Sequence, residues 1–80
     1  MNHAYNIAMN QIIRSDKQIL GGTPCFAGTR VPAKSLFDHL EGGYSIDYFL
    51  EQFPSVKREQ VISLLESAGK LAMEKASSAS

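Results

Sequence analysis

The sequence predicts a mainly α-helical domain in which a short β-hairpin, or a pair of short strands, precedes three helices. Two observations lead to this prediction. Residues 19–32 contain three of the six glycines and two of the three prolines, a composition that rules out a helix in this segment. Residues 33–72 then carry apolar side chains at helical spacing, interrupted at Gly42, Gly43 and Pro54. These breaks divide the region into three amphipathic helices.

The chain of 80 residues is long enough for one domain, which we expect to span residues 11–73. Residues 1–10 are polar and mixed and predict a flexible N-terminal arm. Residues 74–80 hold too few apolar side chains to pack and predict a disordered tail. No apolar run is long enough to span a membrane, and the N-terminus lacks the pattern of a signal peptide. We therefore expect a cytoplasmic protein with no membrane partner.

The sequence offers little for catalysis or for metal binding. Cys25 is the only cysteine, and its apolar neighbours indicate a small buried side chain. His3 and His39 show neither the pattern of a nucleophile–base pair nor the spacing of zinc ligands. The glycines of residues 19–32 lack a Walker lysine and indicate turns rather than a phosphate-binding loop. We expect neither an enzyme nor a cofactor or metal site.

The β element comes first along the chain. Residues 11–14 include the β-branched pair Ile12 and Ile13 and predict a first strand, followed by a turn. The segment rich in glycine and proline then folds back as a hairpin, with one bend at residues 21–22 and another at Gly28.

The helices follow in order. Pro32 suits the first turn of a helix over residues 33–41, which the glycines at 42–43 end. Ser45 is a suitable N-cap for the second helix. Pro54 predicts that this helix ends at Phe53. Ser55 is predicted to cap the third helix. Because so short a connection cannot join antiparallel helices, the last two are expected to cross in a helix-turn-helix arrangement.

A specific motif closes the hairpin segment, and it reads Gly28-Thr29-Arg30-Val31-Pro32. With this motif, and with Asp16 and Pro54 in their positions, residues 12–70 resemble a bacterial family catalogued as the domain of unknown function numbered four hundred and thirty-three. The resemblance implies a homeodomain-like or winged-helix DNA-binding fold. It also implies the antitoxin of a type II toxin–antitoxin pair, which represses its own operon and neutralises a PIN-like ribonuclease. It carries over no catalytic residues.

Six residues are candidates for DNA contact. The third helix is the candidate recognition helix, and the start of the first helix is a second basic position. The alternative interpretation is an ordinary solvated face, and for Arg30 it is an ion pair with Asp16 or bonds to hairpin carbonyls. Zero net charge, from eight basic and eight acidic residues, weighs against strong nonspecific binding but permits a small basic patch. The candidates are Lys57, Arg58, Gln60, Ser63, Arg30 and Lys34.

Tyr44 and Tyr48, with Phe37, are candidates for a partner-binding patch, although tyrosine is also common at the edge of a core. We expect a homodimer, because a short chain without disulfides gains from further apolar burial, and a strand containing Ile12 and Ile13 needs a partner. Operator DNA and a PIN-like toxin are the other expected partners. The alternative function is a non-catalytic protein-interaction adaptor with a helix-turn-helix shape and no DNA binding.

Overall fold

The computed structural model describes residues 9–78. Within this range the chain is mainly helical, with a two-stranded antiparallel sheet ahead of three longer helices, which confirms the predicted fold class. Residues 1–8 of the predicted N-terminal arm lie outside the described part of the chain. In chain order the elements are α1 (Met9–Ile12), β1 (Ile13–Arg14), β2 (Cys25–Phe26), α2 (Lys34–Glu41), α3 (Ile46–Gln52) and α4 (Arg58–Ser78).

The hairpin segment is built on bends at the predicted glycines. The turn after β2 brings Val31 back, so that its carbonyl oxygen accepts from the Phe26 N–H at 2.9 Å, and Gly28 within this turn has φ 79°. An earlier one-turn 3-10 helix, Leu20–Gly22, also has positive φ at every residue, and at Leu20 the value is 51°. Glycine adopts such angles without the steric cost of a side chain. The sheet that results pairs Ile13 with Phe26.

The predicted first strand is wrong at its start. Gln11 and Ile12 belong to α1, and the strand is confined to Ile13–Arg14. Ile12 is 1 % exposed and lies in the hydrophobic core. Burial of this side chain outweighs the weak β preference of a branched residue, which depends strongly on context. Ile12 is therefore not available to pair with a second copy.

One core holds the domain together. Phe26 of β2 and Phe49 of α3 are fully buried, with ring centroids 6.0 Å apart. The sheet therefore packs against the helices through these two rings. Deeply buried aromatic rings contribute the largest apolar areas. The buried cluster draws on the helices, β2 and the connecting segments, and it consists of Ile12, Phe26, Ala33, Leu36, Phe49, Val56, Val61 and Leu64.

Local signals place most helix ends. The Ser45 Oγ accepts from the Tyr48 N–H at 3.0 Å, which confirms Ser45 as the N-cap of α3. Helix α4 begins at Arg58, however, and not directly after Ser55, because Val56 in the connection is drawn into the core at 4 % exposure. The connection between α3 and α4 is thus five residues long, 53–57.

Helix α4 is longer than predicted. It continues to Ser78, so that residues 74–78, expected in a disordered tail, are helical. Residues 71–77 are exposed, and they include alanine, leucine, methionine, glutamate and lysine, which favour helix without any packing. The last turns of α4 therefore project past the core.

Candidate nucleic-acid interface

The N-terminus of α4 presents two of the predicted contacts to solvent. Lys57 is exposed, and its side chain forms no ion pair within residues 9–78. Arg58 is also exposed, but its guanidinium is paired with the carboxylate of Asp47 in α3. Both side chains of this pair remain open to water, at 59 % and 74 % exposure, so the pair is weak enough to rearrange.

Gln60 does not lie on the predicted exposed face. It is 8 % exposed, and both ends of its amide are engaged. The Oε1 accepts from the Lys57 N–H at 3.0 Å, as the third residue of a helix does in a capping box. The Nε2 donates to the carbonyl oxygens of Ala27, at 3.1 Å, and Gln11, at 3.3 Å. Gln60 thus holds the start of α4 against the hairpin, and its amide is unavailable to a base.

Ser63 is buried as well, at 2 % exposure, and its hydroxyl has no hydrogen-bond partner among the described residues. The expected solvated face of α4 was therefore misplaced. Helix α4 carries apolar residues on two sides, and the core takes the side of Val61 and Leu64, which carries Gln60 and Ser63 inward. Ile62 and Leu65, on the other side, stay half-buried.

Two arginines line an open groove beside the hairpin. Arg14 of β1 and Arg30 of the turn face a space of about 660 Å³. In the part of the chain that the structure describes, neither guanidinium has an ion pair or a side-chain hydrogen bond. Asp16 also lines the groove, but its carboxylate accepts from the Gln18 N–H at 2.9 Å, and the expected pair of Arg30 with Asp16 is not formed. The groove thus offers two free cations.

Arg14 was not among the residues predicted to contact DNA. The available signal was its place at the end of a β-branched run, because alternate residues of a strand point to opposite faces. Ser55 also lines the groove and lies two residues before Lys57. The arginine groove therefore adjoins the segment that leads into α4, while Lys57 itself lines a separate cleft with Gln11, Glu59 and Gln60. We call Arg14, Arg30 and Lys57 the basic surface.

Lys34 is occupied by a local partner. Its Nζ lies 2.8 Å from the Asp38 carboxylate, one turn along α2. This hydrogen bond and the negative charge of Asp38 raise the pKa of Lys34, so the side chain stays protonated. Because the pair is exposed, it neutralises the charge locally and adds little to stability. Lys34 is a weaker candidate for a phosphate than the free arginines.

The two candidate tyrosines meet. Tyr44 and Tyr48 stack with ring centroids 4.9 Å apart and an interplanar angle of 20°, and they are 53 % and 39 % exposed. His39 contacts both rings, and its Nδ1 donates to the Ser35 carbonyl oxygen at 2.8 Å. Phe37, predicted to join them, packs against the core instead. The exposed aromatic pair is defined by Tyr44 and Tyr48.

Other chemistry is not organised in the described range. Residues 9–78 contain no group of three or more acidic, histidine or cysteine side chains close enough to hold a metal ion. Cys25 is buried as predicted, and its Sγ donates to the Thr23 carbonyl oxygen at 3.3 Å. None of the helices described is both long enough and apolar enough to cross a membrane.

Comparison with known proteins gives a family but no function. The chain is similar to the uncharacterised protein y4eO of Sinorhizobium fredii (strain NBRC 101917 / NGR234), with 39 % identity over 54 residues. That match covers 68 % of this chain and 24 % of the relative, so the chain corresponds to about a quarter of that protein. No solved structure matches. The family model described as "protein of unknown function (DUF433)" matches residues 13–67, well over half of the chain, and the chain therefore belongs to the DUF433 family.

Proposed function

We propose that the chain is the antitoxin of a type II toxin–antitoxin pair. It is a cytoplasmic, non-catalytic protein that represses its own operon by binding DNA and neutralises a PIN-like ribonuclease. The resemblance of the hairpin motif implied this role, and the order of a sheet followed by three helices is compatible with it. The observation that carries the DNA-binding part is that Arg14 and Arg30 line one groove and form no ion pair within residues 9–78.

The basic surface supports contact with phosphate more than contact with bases. A guanidinium offers a planar fork of donors that matches two phosphate oxygens. Among the residues that the structure describes, neither arginine of the groove is paired with a carboxylate. Lys57 adds a third free cation at the start of α4. Arg58 would first have to leave Asp47. The proposed DNA contacts are therefore Arg14, Arg30 and Lys57, with Arg58 as a secondary contact.

The exposed aromatic pair supports contact with the toxin. Aromatic side chains are enriched in the buried centres of protein interfaces, where a rigid ring covers a large area. Tyr44 and Tyr48 are stacked and braced by His39, so little side-chain freedom remains to be lost on binding. A tyrosine side chain suits such a surface, because its hydroxyl is hydrated in the unbound protein and its ring gives apolar contact in the complex.

The test is a binding titration on the DNA upstream of this reading frame, with and without the ribonuclease encoded next to it. Arg14→Ala and Arg30→Ala should each weaken binding to all sequences, and each should reduce the slope of log affinity against log salt by about 0.9. Lys75→Ala removes the same charge near the end of α4 and is the matched control. The DNA-binding assignment fails if the parent retards no DNA in either condition, or if Arg14→Ala/Arg30→Ala binds as well as the parent.

A second candidate is the protein-interaction adaptor without DNA binding. The zero net charge and the pairing of Arg58 with Asp47 favour it, because both reduce the attraction to phosphate. A chain that binds the ribonuclease but no DNA would be the adaptor and not the DNA-binding antitoxin. The adaptor hypothesis expects Tyr44→Ala/Tyr48→Ala to weaken that complex while no promoter fragment is retarded.

A further inference from the structure

Helix α4 carries a second row of residues beside the face that enters the core, and this row combines three apolar side chains with two charged ones. Residues 62, 65, 66, 69, 70 and 73 recur at intervals of three and four and line one open groove of about 630 Å³. At 100° per residue five of these positions turn away from Val61 and Leu64. The sixth, Leu65, lies at the boundary and also packs against the core. Met73 is 67 % exposed. From this groove we infer that two copies of the chain associate by antiparallel pairing of their α4 helices.

The charges on this face select the second copy and its direction. Glu66 and Lys70 are four residues apart in the order that favours an ion pair within a helix, yet neither forms an ion pair within residues 9–78. Both line the groove on the same flank. In an antiparallel pair with a two-fold axis between residues 68 and 69, Glu66 of each copy meets Lys70 of the other. A parallel pair in register would bring like charges together.

The apolar residues match under the same axis. Residue 65 lies opposite residue 73 of the second copy, so that Leu65 meets Met73 twice in a symmetric interface. Gly69 falls at the crossing point. A Cβ built on Gly69 would touch nothing within 4 Å, so nothing in the described chain requires a glycine there. A glycine in mid-helix costs up to about 1 kcal/mol relative to alanine. At a crossing point it allows the two helix backbones to approach closely.

This assembly replaces the predicted one, in which a strand with Ile12 and Ile13 joined two copies, because Ile12 is buried in its own core. The inference does not depend on DNA binding. A two-fold dimer would nonetheless present the basic surface twice, as operators with two half-sites require. Pairing over about four turns of helix gives an interface below roughly 1,200 Å², the range of weak complexes. A dimer with micromolar dissociation is expected.

The test is sedimentation equilibrium of the full chain with charge reversals at residues 66 and 70. Glu66→Lys and Lys70→Glu each place like charges at residue 66 of one copy and residue 70 of the other. Each should raise the dissociation constant of the dimer about tenfold or more. The double variant Glu66→Lys/Lys70→Glu should restore the dimer. An equimolar mixture of the two single variants should form a mixed dimer for the same reason. Glu51→Lys and Lys75→Glu make the same charge changes off this face and should dimerise like the parent.

Three results would overturn the inference. The parent could stay monomeric at several hundred micromolar, roughly a hundredfold above the expected dissociation constant. The single reversals could dimerise as well as the parent, which would place the interface elsewhere. Alternatively, a monomeric parent could dimerise once residues 2–8 are removed, which would make that segment the occupant of the groove. Circular dichroism of each variant shows whether the helices are retained. A mixed dimer in the equimolar mixture of the two single variants shows that both are folded, so that loss of the dimer is distinguished from loss of the fold.

Discussion

The side-chain Nε2 of Gln60 donates a hydrogen bond to the carbonyl oxygen of Ala27 at 3.1 Å, across 33 residues of sequence. The same nitrogen reaches Gln11, and the Oε1 holds the N–H of Lys57. One buried amide therefore ties together α1, the turn after β2 and the first turn of α4. Together with the shared core, this side chain fixes the position of the hairpin relative to the start of α4.

Replacement of Gln60 should destabilise the domain. Gln60→Ala leaves the carbonyls of Gln11 and Ala27 and the N–H of Lys57 without partners, at a cost of about 1–3 kcal/mol. For a domain of this size each kcal/mol lowers the Tm by roughly 4–8 °C. Gln52→Ala, at an exposed position in α3, is the control and should change stability by less than about 0.5 kcal/mol. Equal urea midpoints for the two variants would contradict the assigned role.

Replacement of Ser63 should have the opposite effect. Its buried hydroxyl has no partner among the described residues, so Ser63→Ala removes an unsatisfied polar group and adds helix propensity. We expect a gain of about 1 kcal/mol or more. Ser67→Ala brings the same gain in helix propensity at a less buried site. The difference between the urea unfolding midpoints of the two variants therefore measures the effect of removing the buried hydroxyl. A less stable Ser63→Ala variant would show that the hydroxyl is needed.

The bend at Gly28 should not accept a branched side chain. With φ at 79° and no atom within 4 Å of an added Cβ, the cost of Gly28→Val is a backbone cost of about 1–3 kcal/mol. Gly69→Ala is the matched substitution at a helical glycine with open surroundings, and it should stabilise the monomer by about 0.5–1 kcal/mol. Thermal unfolding at low protein concentration measures both. If Gly28→Val melts with the parent, the bend tolerates a side chain.

Removal of the Asp47 carboxylate should release Arg58. Both side chains are exposed, so Asp47→Asn should change stability by less than about 1 kcal/mol. If the proposed DNA contact is right, promoter affinity should rise and the salt slope should steepen by up to about 0.9, because Arg58 becomes free for a phosphate. Glu51→Gln removes the same charge from the same helix and is the control. An unchanged slope in Asp47→Asn would remove Arg58 from the contact surface.

The sequence by itself determined the features that depend on a few neighbouring residues. Gly28 marks a bend because the bend depends on the φ angle of that one residue. Ser45 caps α3 by accepting from an N–H three residues away, and Pro54 follows the end of the same helix. The fold class and the family also follow from such local patterns, since the motif that closes the hairpin and the three helices can be recognised without knowing what they contact.

Tertiary structure decided which side of each element is buried. Helix α4 has apolar residues on two faces, and the sequence could not tell which one the core would take. Within residues 9–78, Gln60 on the buried side of α4 donates to the carbonyl oxygens of Gln11 and Ala27. The burial of Val61 and Leu64 on this side carries Gln60 and Ser63 inward and leaves Ile62 half-buried. Contacts between residues distant in sequence set this choice, because the burial of Val61 and Leu64 in the core and the hydrogen bonds of Gln60 outweigh the local preferences of single residues.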